Sequence, residues 1–156
     1  MMSDMVTGYV VNIYDALNYD IDFPYVDKTQ HKVLSQAIQN VYCYKNIMKC
    51  GAMSNELQGC SYRCRLNGIE MNAKTYNRRQ IKMYTHDIKQ WVDRVDGWVH
   101  CWIRGVDIYQ RLLIDLYLPK VDVNLCDYLL LKLNDDHTVP FHKYHTNKAK
   151  YKRYYK

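Results

Sequence analysis

The sequence predicts an α+β domain, because segments with strand periodicity and segments with helix periodicity are mixed along the chain. The predicted order is strand, strand, helix, strand, helix, strand, strand, helix. The 156 residues are the usual length of one domain, and the 48% hydrophobic content is enough for a sizeable core. We therefore predict a single domain over residues 1–142 and a basic, tyrosine-rich C-terminal tail over residues 143–156.

The N-terminal segments predict a β-hairpin followed by an inserted helix. Residues 8–23 begin with a β-branched run and then alternate between apolar and polar side chains, which is typical of two strands and a tight turn. Between residues 28 and 49, apolar side chains recur at helical spacing, and Asp27 or Thr29 is a suitable N-cap. The hairpin's apolar face is Leu17, Tyr19, Ile21 and Phe23, and its polar face is Asn18, Asp20 and Asp22.

The rest of the chain predicts three strands and two helices. Residues 60–70 alternate as a strand that ends in a turn at Asn67-Gly68, and residues 98–118 predict two strands joined by a turn. Residues 75–95 and 123–133 have helical period. The side chains expected to face the core are Tyr76, Met83, Tyr84, Ile88, Trp91, Val92 and Val95 on the first helix, and Leu125, Leu129, Leu130 and Leu133 on the second.

The cysteines and the N-terminus predict a protein of a reducing compartment. No basic segment precedes a long apolar run, and no stretch of about 18 apolar residues is free of charge, so we expect neither secretion nor a membrane span. The six cysteines are therefore expected to be free thiols, mostly buried. A zinc site is the less favoured alternative, because the spacing of Cys60 and Cys64 is wider than usual. The remaining candidate zinc ligands are Cys43, Cys50, His137, His142 and His145.

The net charge of +6 is concentrated in the tail. Residues 143–156 contain six basic residues and no acidic one, so the basic and acidic residues of the preceding segment balance. Four tyrosines lie among these cations, and rings that stack on bases beside cations for phosphates are typical of nucleic-acid contacts. Docking on an acidic protein and simple solubilisation are the alternatives.

Three short motifs resemble those of the staphylococcal nuclease (thermonuclease) family. Residues 65–70, RLNGIE, resemble its R-L-x-G-I-D signature, residues 13–18, IYDALN, its V-x-D-G-D-T turn, and residues 107–113, DIYQRLL, its D-x-Y-G-R-x-L strand pair. Their order agrees with that family over about residues 8–140. The resemblance implies an OB-fold-like, five-stranded β-barrel with helices, to which the helix near 28–49 is an insertion.

The resemblance also implies a site for calcium-dependent cleavage of phosphodiesters by water. It assigns Arg65 and Arg111 to the catalytic phosphate clamp, for which the planar guanidinium is suited. It assigns Glu70 to a calcium ligand and Asp15, more weakly, to the metal-binding turn. As structural alternatives, Arg65 is a surface arginine, Glu70 a solvated turn acid, and Arg111 a partner of Asp107 or Asp115.

Two departures from the family pattern indicate impaired catalysis. Leu17 stands at the position of a principal metal ligand, and an aliphatic side chain cannot bind calcium. Ala73 stands at the position of the general base, whose loss typically costs ~10²- to 10⁴-fold in rate. As an alternative, Asp20 or Asp22 supplies the missing metal ligand, and the site then still binds calcium.

We therefore predict a degenerate nuclease-like module that binds nucleic acid or protein, with an active calcium-dependent DNA or RNA endonuclease as the alternative. Nucleic acid is expected at the Arg65/Arg111 cleft and the tail, and a protein partner at the helix over 28–49. Composition and divergence are similar to copies of this domain in large DNA viruses, which implies a cytoplasmic or virus-associated, structural or minor capsid role.

Overall fold

The computed structural model describes residues 5–26, 32–43, 58–69 and 78–135. Within them lie seven strands and two long helices. The strands are β1 (Met5–Ile13), β2 (Asn18–Asp22), β3 (Gln39–Cys43), β4 (Gln58–Leu66), β5 (Trp98–Val106), β6 (Leu112–Leu118) and β7 (Val123–Asn124), and the helices are α1 (Arg78–Arg94) and α2 (Leu125–Asp135).

Five of the strands close into a barrel. Strand β1 pairs with β2 and β5, β2 pairs with β4, and β5 pairs with β6, all antiparallel. A parallel pairing of β4 with β6 completes the ring, and α1 lies in the connection between β4 and β5. A five-stranded barrel with these connections is an OB-like α+β fold, so the predicted fold class is confirmed.

The barrel interior is filled by alternate residues of the strands. In β2 the inward set includes Tyr19 and Ile21, as the alternation predicts, and the hydroxyl of Tyr19 donates to the carbonyl of Ala16 at 2.7 Å. Strand β1 approaches β2 closely at Gly8, where a Cβ atom would lie 2.7 Å from Cγ2 of Ile21. Glycine is therefore required for this packing.

The predicted helix over residues 28–49 is wrong over residues 35–43, because residues 35–38 form a turn and residues 39–43 form strand β3, while residues 28–31 and 44–49 lie outside the described residues. Residues 32–34 are helical, and Leu34 and Ala37 are buried, as the helical spacing predicts. The chain then extends and pairs antiparallel with the first half of β4, from Gln39 opposite Tyr62 onward. The backbone groups along that edge of β4 thus gain partners, and this tertiary pairing overrides the local pattern.

The described part of the predicted stripe of helix α1 packs on the barrel with one exception, and Tyr76 lies outside the described residues. Tyr84, Ile88 and Val92 are buried, but Met83 is 52% exposed and its prediction as a core residue is wrong. Met83 lies about 100° around the helix from Tyr84 and farther from Ile88 and Val92. The helix ends at Arg94. In the turn that follows, Gly97 has a φ of 83° and donates its N–H to the carbonyl of Val92 at 3.0 Å.

Helix α2 begins two residues later than predicted, because residues 123–124 form strand β7. The side chain of Asn124 caps the helix by accepting from the N–H of Asp127 at 3.1 Å. Leu125, Leu129 and Leu130 are buried, as predicted. The side chain of Leu133 lies outside the described residues.

The four cysteines whose side chains the structure describes are free thiols, as predicted. Cys64, Cys101 and Cys126 are buried, and Cys60 is half-buried. Burial raises the pKa of the Cys64 thiol well above its ordinary value. Neither long helix among the described residues has the length and apolar character needed to cross a bilayer.

Candidate functional site

The predicted site residues that the structure describes lie where two turns meet at one end of the barrel. One turn joins β1 to β2 over residues 14–17, and the other joins β5 to β6 over residues 107–111. These are the two loops with which OB barrels commonly bind ligands. We call Asp15, Asn18, Asp107 and Arg111 the turn junction.

The carboxylate of Asp15 is used to build its own turn. Its Oδ1 accepts from the backbone N–H groups of Leu17 at 2.8 Å and Asn18 at 3.0 Å. Both of its oxygens also accept from the side-chain amide of Asn18, at 3.0 and 3.2 Å. This is the local hydrogen bonding by which Asp stabilises tight turns.

Arg111 joins the two turns. Its Nε donates to Oδ2 of Asp107 at 2.8 Å, and its Nη1 donates to Oδ1 of Asn18 at 3.1 Å. Asp107 also accepts from the backbone N–H of Arg111 and of Tyr109, both at 2.9 Å. The predicted alternative in which Arg111 pairs with Asp107 is confirmed, whereas Asp115 pairs with Arg104.

The two predicted arginines converge on Asn18. Arg65 stands directly opposite Asn18 in the antiparallel β2–β4 pair, so their side chains lie on the same face of the sheet. Asn18 in turn contacts Arg111. The Nη2 of Arg65 donates to the carbonyl of Ile69 at 3.0 Å, which orients its guanidinium toward the end of β4. Both arginines are thus neighbours of Asn18, Arg65 through the strand register and Arg111 through a hydrogen bond.

A second set of polar residues continues this face of the sheet. Arg63 stands opposite Asp20 and donates to its Oδ1 at 2.9 Å, while Tyr14 donates to its Oδ2 in a short hydrogen bond. Arg63 also donates to the Tyr14 hydroxyl at 3.0 Å and lies 4.2 Å from the centre of its ring. Burial alone would lower the pKa of Arg63, but Asp20 raises it above its ordinary value, so the guanidinium is charged.

The described residues do not fit a calcium site. Calcium prefers six to eight oxygen ligands, whereas Leu17 is buried in the core and both oxygens of Asp15 accept hydrogen bonds from its turn. Asp20 is committed to Arg63 and Tyr14, so it does not replace the lost ligand. In the described ranges no three His, Cys, Asp or Glu side chains form a group that could hold a metal ion. Glu70 and Ala73 lie outside the described residues.

A cleft of about 400 Å³ opens between the β1–β2 turn and helix α1. Within the described chain, Lys82 and Lys89 form no ion pair with a carboxylate. We call these two residues with Arg79 and His86 the basic face of α1, since their spacing places them along one side of the helix. The cleft is lined by Tyr14, Asp15, Ile81, Lys82, Thr85, His86 and Lys89.

The sequence interpretation missed Tyr14, Arg63 and the basic face of α1. Strand alternation carried a signal for Arg63, which is two residues from Arg65 and therefore on its side of β4. The lysines of α1 also had a signal, because they recur at helical spacing opposite the apolar stripe. No local pattern marks Tyr14, whose role depends on its contact with Arg63, far along the chain.

No protein-family model matches the sequence, and no curated protein matches it. Among solved structures, the chain is similar to the mouse TDRD1 extended Tudor domain TD3 bound to a MILI peptide containing dimethylarginine, with 9% identity and a TM-score of 0.48 over 90% of this chain and 95% of that one. It is also similar to the human TDRD1 extended Tudor domain bound to a symmetrically dimethylated peptide, with 9% identity and a TM-score of 0.46 over 90% and 92%. At these values the likeness supports no inference about the function of this chain.

Proposed function

We propose that this chain is a divergent nuclease-like barrel that binds nucleic acid without cleaving it. The observation that supports binding is the convergence of Arg65 and Arg111 on Asn18 at the loops of an OB-like barrel. Guanidinium groups are suited to phosphate, and a guanidinium has more N–H donors than the contacts of Arg111 with Asp107 and Asn18 use. The remaining donors are available to a phosphodiester.

The residues around Arg111 also suit a nucleic acid. Tyr109 is 65% exposed and its ring centre lies 5.2 Å from the Arg111 guanidinium, and the neighbouring Ile108 is 88% exposed. An exposed ring beside a cation offers a base a stacking surface next to its phosphate. The turn that presents these side chains is fixed by Asp107, so little ordering accompanies binding.

We expect no hydrolysis, because the acidic groups near the two arginines already accept hydrogen bonds within their own turns. Phosphodiester hydrolysis by a calcium enzyme needs carboxylates that are free to bind metal, whereas Asp15 and Asp107 are engaged in their turns. Leu17 and Ala73 stand where the nuclease pattern has acidic residues. The alternative is an active endonuclease, which a cleavage assay would detect. A role in a virus particle stays a prediction.

The test combines cleavage and binding. Purified protein is incubated with single- and double-stranded DNA and RNA, with calcium or with chelator, and no cutting is expected. Binding of a labelled oligonucleotide is then compared between the wild type, Arg65→Ala/Arg111→Ala and the control Lys32→Ala/Arg94→Ala, which removes two exposed charges elsewhere. The first variant should bind more weakly than the control, in proteins that melt cooperatively. Calcium-dependent cutting, or equal binding by the two variants, would contradict the proposal.

The C-terminal tail is proposed as a second source of affinity, on sequence evidence alone, because residues 143–156 lie outside the described residues. Removing them deletes six basic residues, so affinity should fall at low salt and the salt dependence of binding should flatten. Oligonucleotide titrations at several salt concentrations measure both quantities. Unchanged affinity and slope would show that the tail is not a nucleic-acid arm.

A further inference from the structure

We propose that the cleft between the β1–β2 turn and helix α1 binds one nucleotide of a single-stranded nucleic acid, with its base on Tyr14 and its phosphates on Lys82 and Lys89. This inference rests on the proposed function and adds a site beyond the Arg65/Arg111 pair. A volume of about 400 Å³ is within the range of pockets that hold small ligands.

The charge of the cleft favours an anion. Lys82 and Lys89 are exposed on the same side of α1, seven residues apart, and neither is paired with a carboxylate of the described residues. The carboxylate that lines the cleft, Asp15, already accepts from N–H groups of its own turn. His86 and Thr85 add polar atoms to the wall. Two lysines with one engaged carboxylate give a wall to which a phosphodiester is attracted.

Tyr14 is held as a rigid stacking surface. Its hydroxyl is fixed by Asp20 and Arg63, and the Arg63 guanidinium covers the ring at 4.2 Å. A single cation covers one face of a ring, so the opposite face of Tyr14 is the surface that this proposal gives to the base. The side chain is 47% exposed. A fixed aromatic ring can accept any base without losing further side-chain freedom.

The position of the cleft relates it to the turn junction. Tyr14 and Asp15 line the cleft, and Asp15 also holds Asn18, which contacts Arg111. One hairpin turn therefore borders both sites. Because stacking on Tyr14 needs an unpaired base, the cleft predicts a preference for single strands over duplex, which the arginine pair alone does not.

The experiment measures binding of a fluorescein-labelled oligothymidylate by anisotropy at several salt concentrations. The charge variant is Lys82→Gln/Lys89→Gln, and its matched control, Lys32→Gln/Lys132→Gln, neutralises two exposed lysines outside the cleft. We expect the slope of log affinity against log salt to fall by about 1.4 in the charge variant, since each phosphate contact on a single strand contributes about 0.7. In the matched control, the slope of log affinity against log salt should fall by less than it does in the charge variant.

The ring variants test stacking. Tyr14→Leu should weaken binding by about 5- to 100-fold, whereas Tyr14→Phe, which keeps the ring, should stay within about twofold of wild type. A blunt DNA duplex should show no effect of Tyr14→Leu. Thermal melting checks that each variant is folded, and Tyr14→Phe separately reports the loss of the Asp20 contact.

The outcomes separate this inference from the proposed function. If the wild type binds no oligonucleotide, the proposed function fails and this inference fails with it. If the wild type binds and Arg65→Ala/Arg111→Ala weakens binding, while the cleft variants match their controls, the proposed function stands and the cleft is not a nucleotide site. A selective loss of slope and of single-strand affinity in the cleft variants supports the inference.

Discussion

The turn junction and the basic face of α1 both border the β1–β2 turn, yet they use their charges differently. At the junction, Asp15 and Asp107 are bound to backbone N–H groups, and Arg111 joins the two turns. On α1, Lys82 and Lys89 form no ion pair with any described carboxylate. Charges of the first kind stabilise the fold, and of these only Arg111 keeps further N–H donors for a phosphate, whereas charges of the second kind contribute no such stabilisation and are available to a ligand. A substitution that separates the two roles tests this comparison.

The largest effect is expected from Leu17→Asp, which restores an acid where the nuclease pattern has one. Leu17 is only 3% exposed, so the substitution removes core packing and buries a carboxylate without a partner. We expect a loss of at least ~3 kcal/mol in the free energy of unfolding, measured by denaturant titration. Calcium should not restore stability.

The control for this prediction is Leu17→Met, which conserves volume and should cost less than ~1.5 kcal/mol. A Leu17→Asp protein that folds normally and melts at a higher temperature with calcium than with chelator would show that the turn junction still accepts a metal. The acidic groups of the turn junction would then serve a ligand as well as the fold, and the comparison would be wrong about the turn junction.

The next largest effect separates paired from unpaired cations. Arg111→Ala removes hydrogen bonds to Asp107 and Asn18 and should lower the free energy of unfolding by about 1.5–3 kcal/mol. Lys82→Ala/Lys89→Ala should change it by about 0.5 kcal/mol or less, because exposed side chains without partners contribute little. Denaturant titration of both proteins checks this, and a costly lysine variant would mean that the basic face of α1 is structural.

How much of this could be predicted from the sequence depends on whether each feature is local. The β-branched run and the alternation over residues 8–23 predicted the β1–β2 hairpin, and the resemblance carried by the motifs around Arg65 and Arg111 predicted the barrel. Strand β3 could not be predicted, because residues 39–43 acquire their conformation by pairing with β4, which follows much later in the chain.

The chemical state of the site was less predictable than its position. The resemblance assigned Asp15 to a metal site, whereas the structure shows that its oxygens close a turn with Leu17 and Asn18. A motif records which residue types occur together, but it does not record which donors already occupy a carboxylate. The cleft escaped prediction for a similar reason, since Tyr14 and Lys82 meet only after α1 packs on the barrel.

A smaller effect is expected at high pH, through the contact that holds α1 to α2. Tyr128 packs edge-on against Trp91 with ring centres 4.7 Å apart, and its hydroxyl donates to Asp87 at 3.3 Å. Burial and the nearby Asp87 charge raise the pKa of Tyr128 from 10.0 to about 12. The stabilisation is thus complete below pH 10, where both states are protonated, and is lost as the pH rises from about 10 through 12.

Denaturant titrations between pH 9 and pH 11.5, values that bracket the ordinary tyrosine pKa of about 10, measure this loss. Tyr128→Phe should cost about 1 kcal/mol at neutral pH and should make the decline above pH 10 shallower. Some decline should persist, because burial also raises the pKa of Tyr62 to about 12. An identical decline in wild type and variant would show that ionisation of Tyr128 does not cause this loss of stability. The contact of Tyr128 with Trp91 and Asp87 would then not be what holds α1, and with it one wall of the cleft, in place.

The smallest effect concerns the backbone of the turn junction. Gln110 has a φ of 63°, a left-handed conformation that costs a non-glycine residue about 1–2 kcal/mol, and it stands where the nuclease motif has glycine. Gln110→Gly should relieve this strain and raise the free energy of unfolding by up to ~1 kcal/mol, since glycine also gains freedom in the unfolded chain. Gln110→Ala, which has the same backbone restriction, should give no gain. The carbonyl of Gln110 accepts from the N–H of Ile38 at 2.8 Å, and a change of side chain leaves this backbone contact in place. The turn should therefore keep its geometry, and oligonucleotide affinity should not change. A gain in stability that also weakened binding would mean that the strained turn, and not only the arginine it carries, belongs to the binding surface.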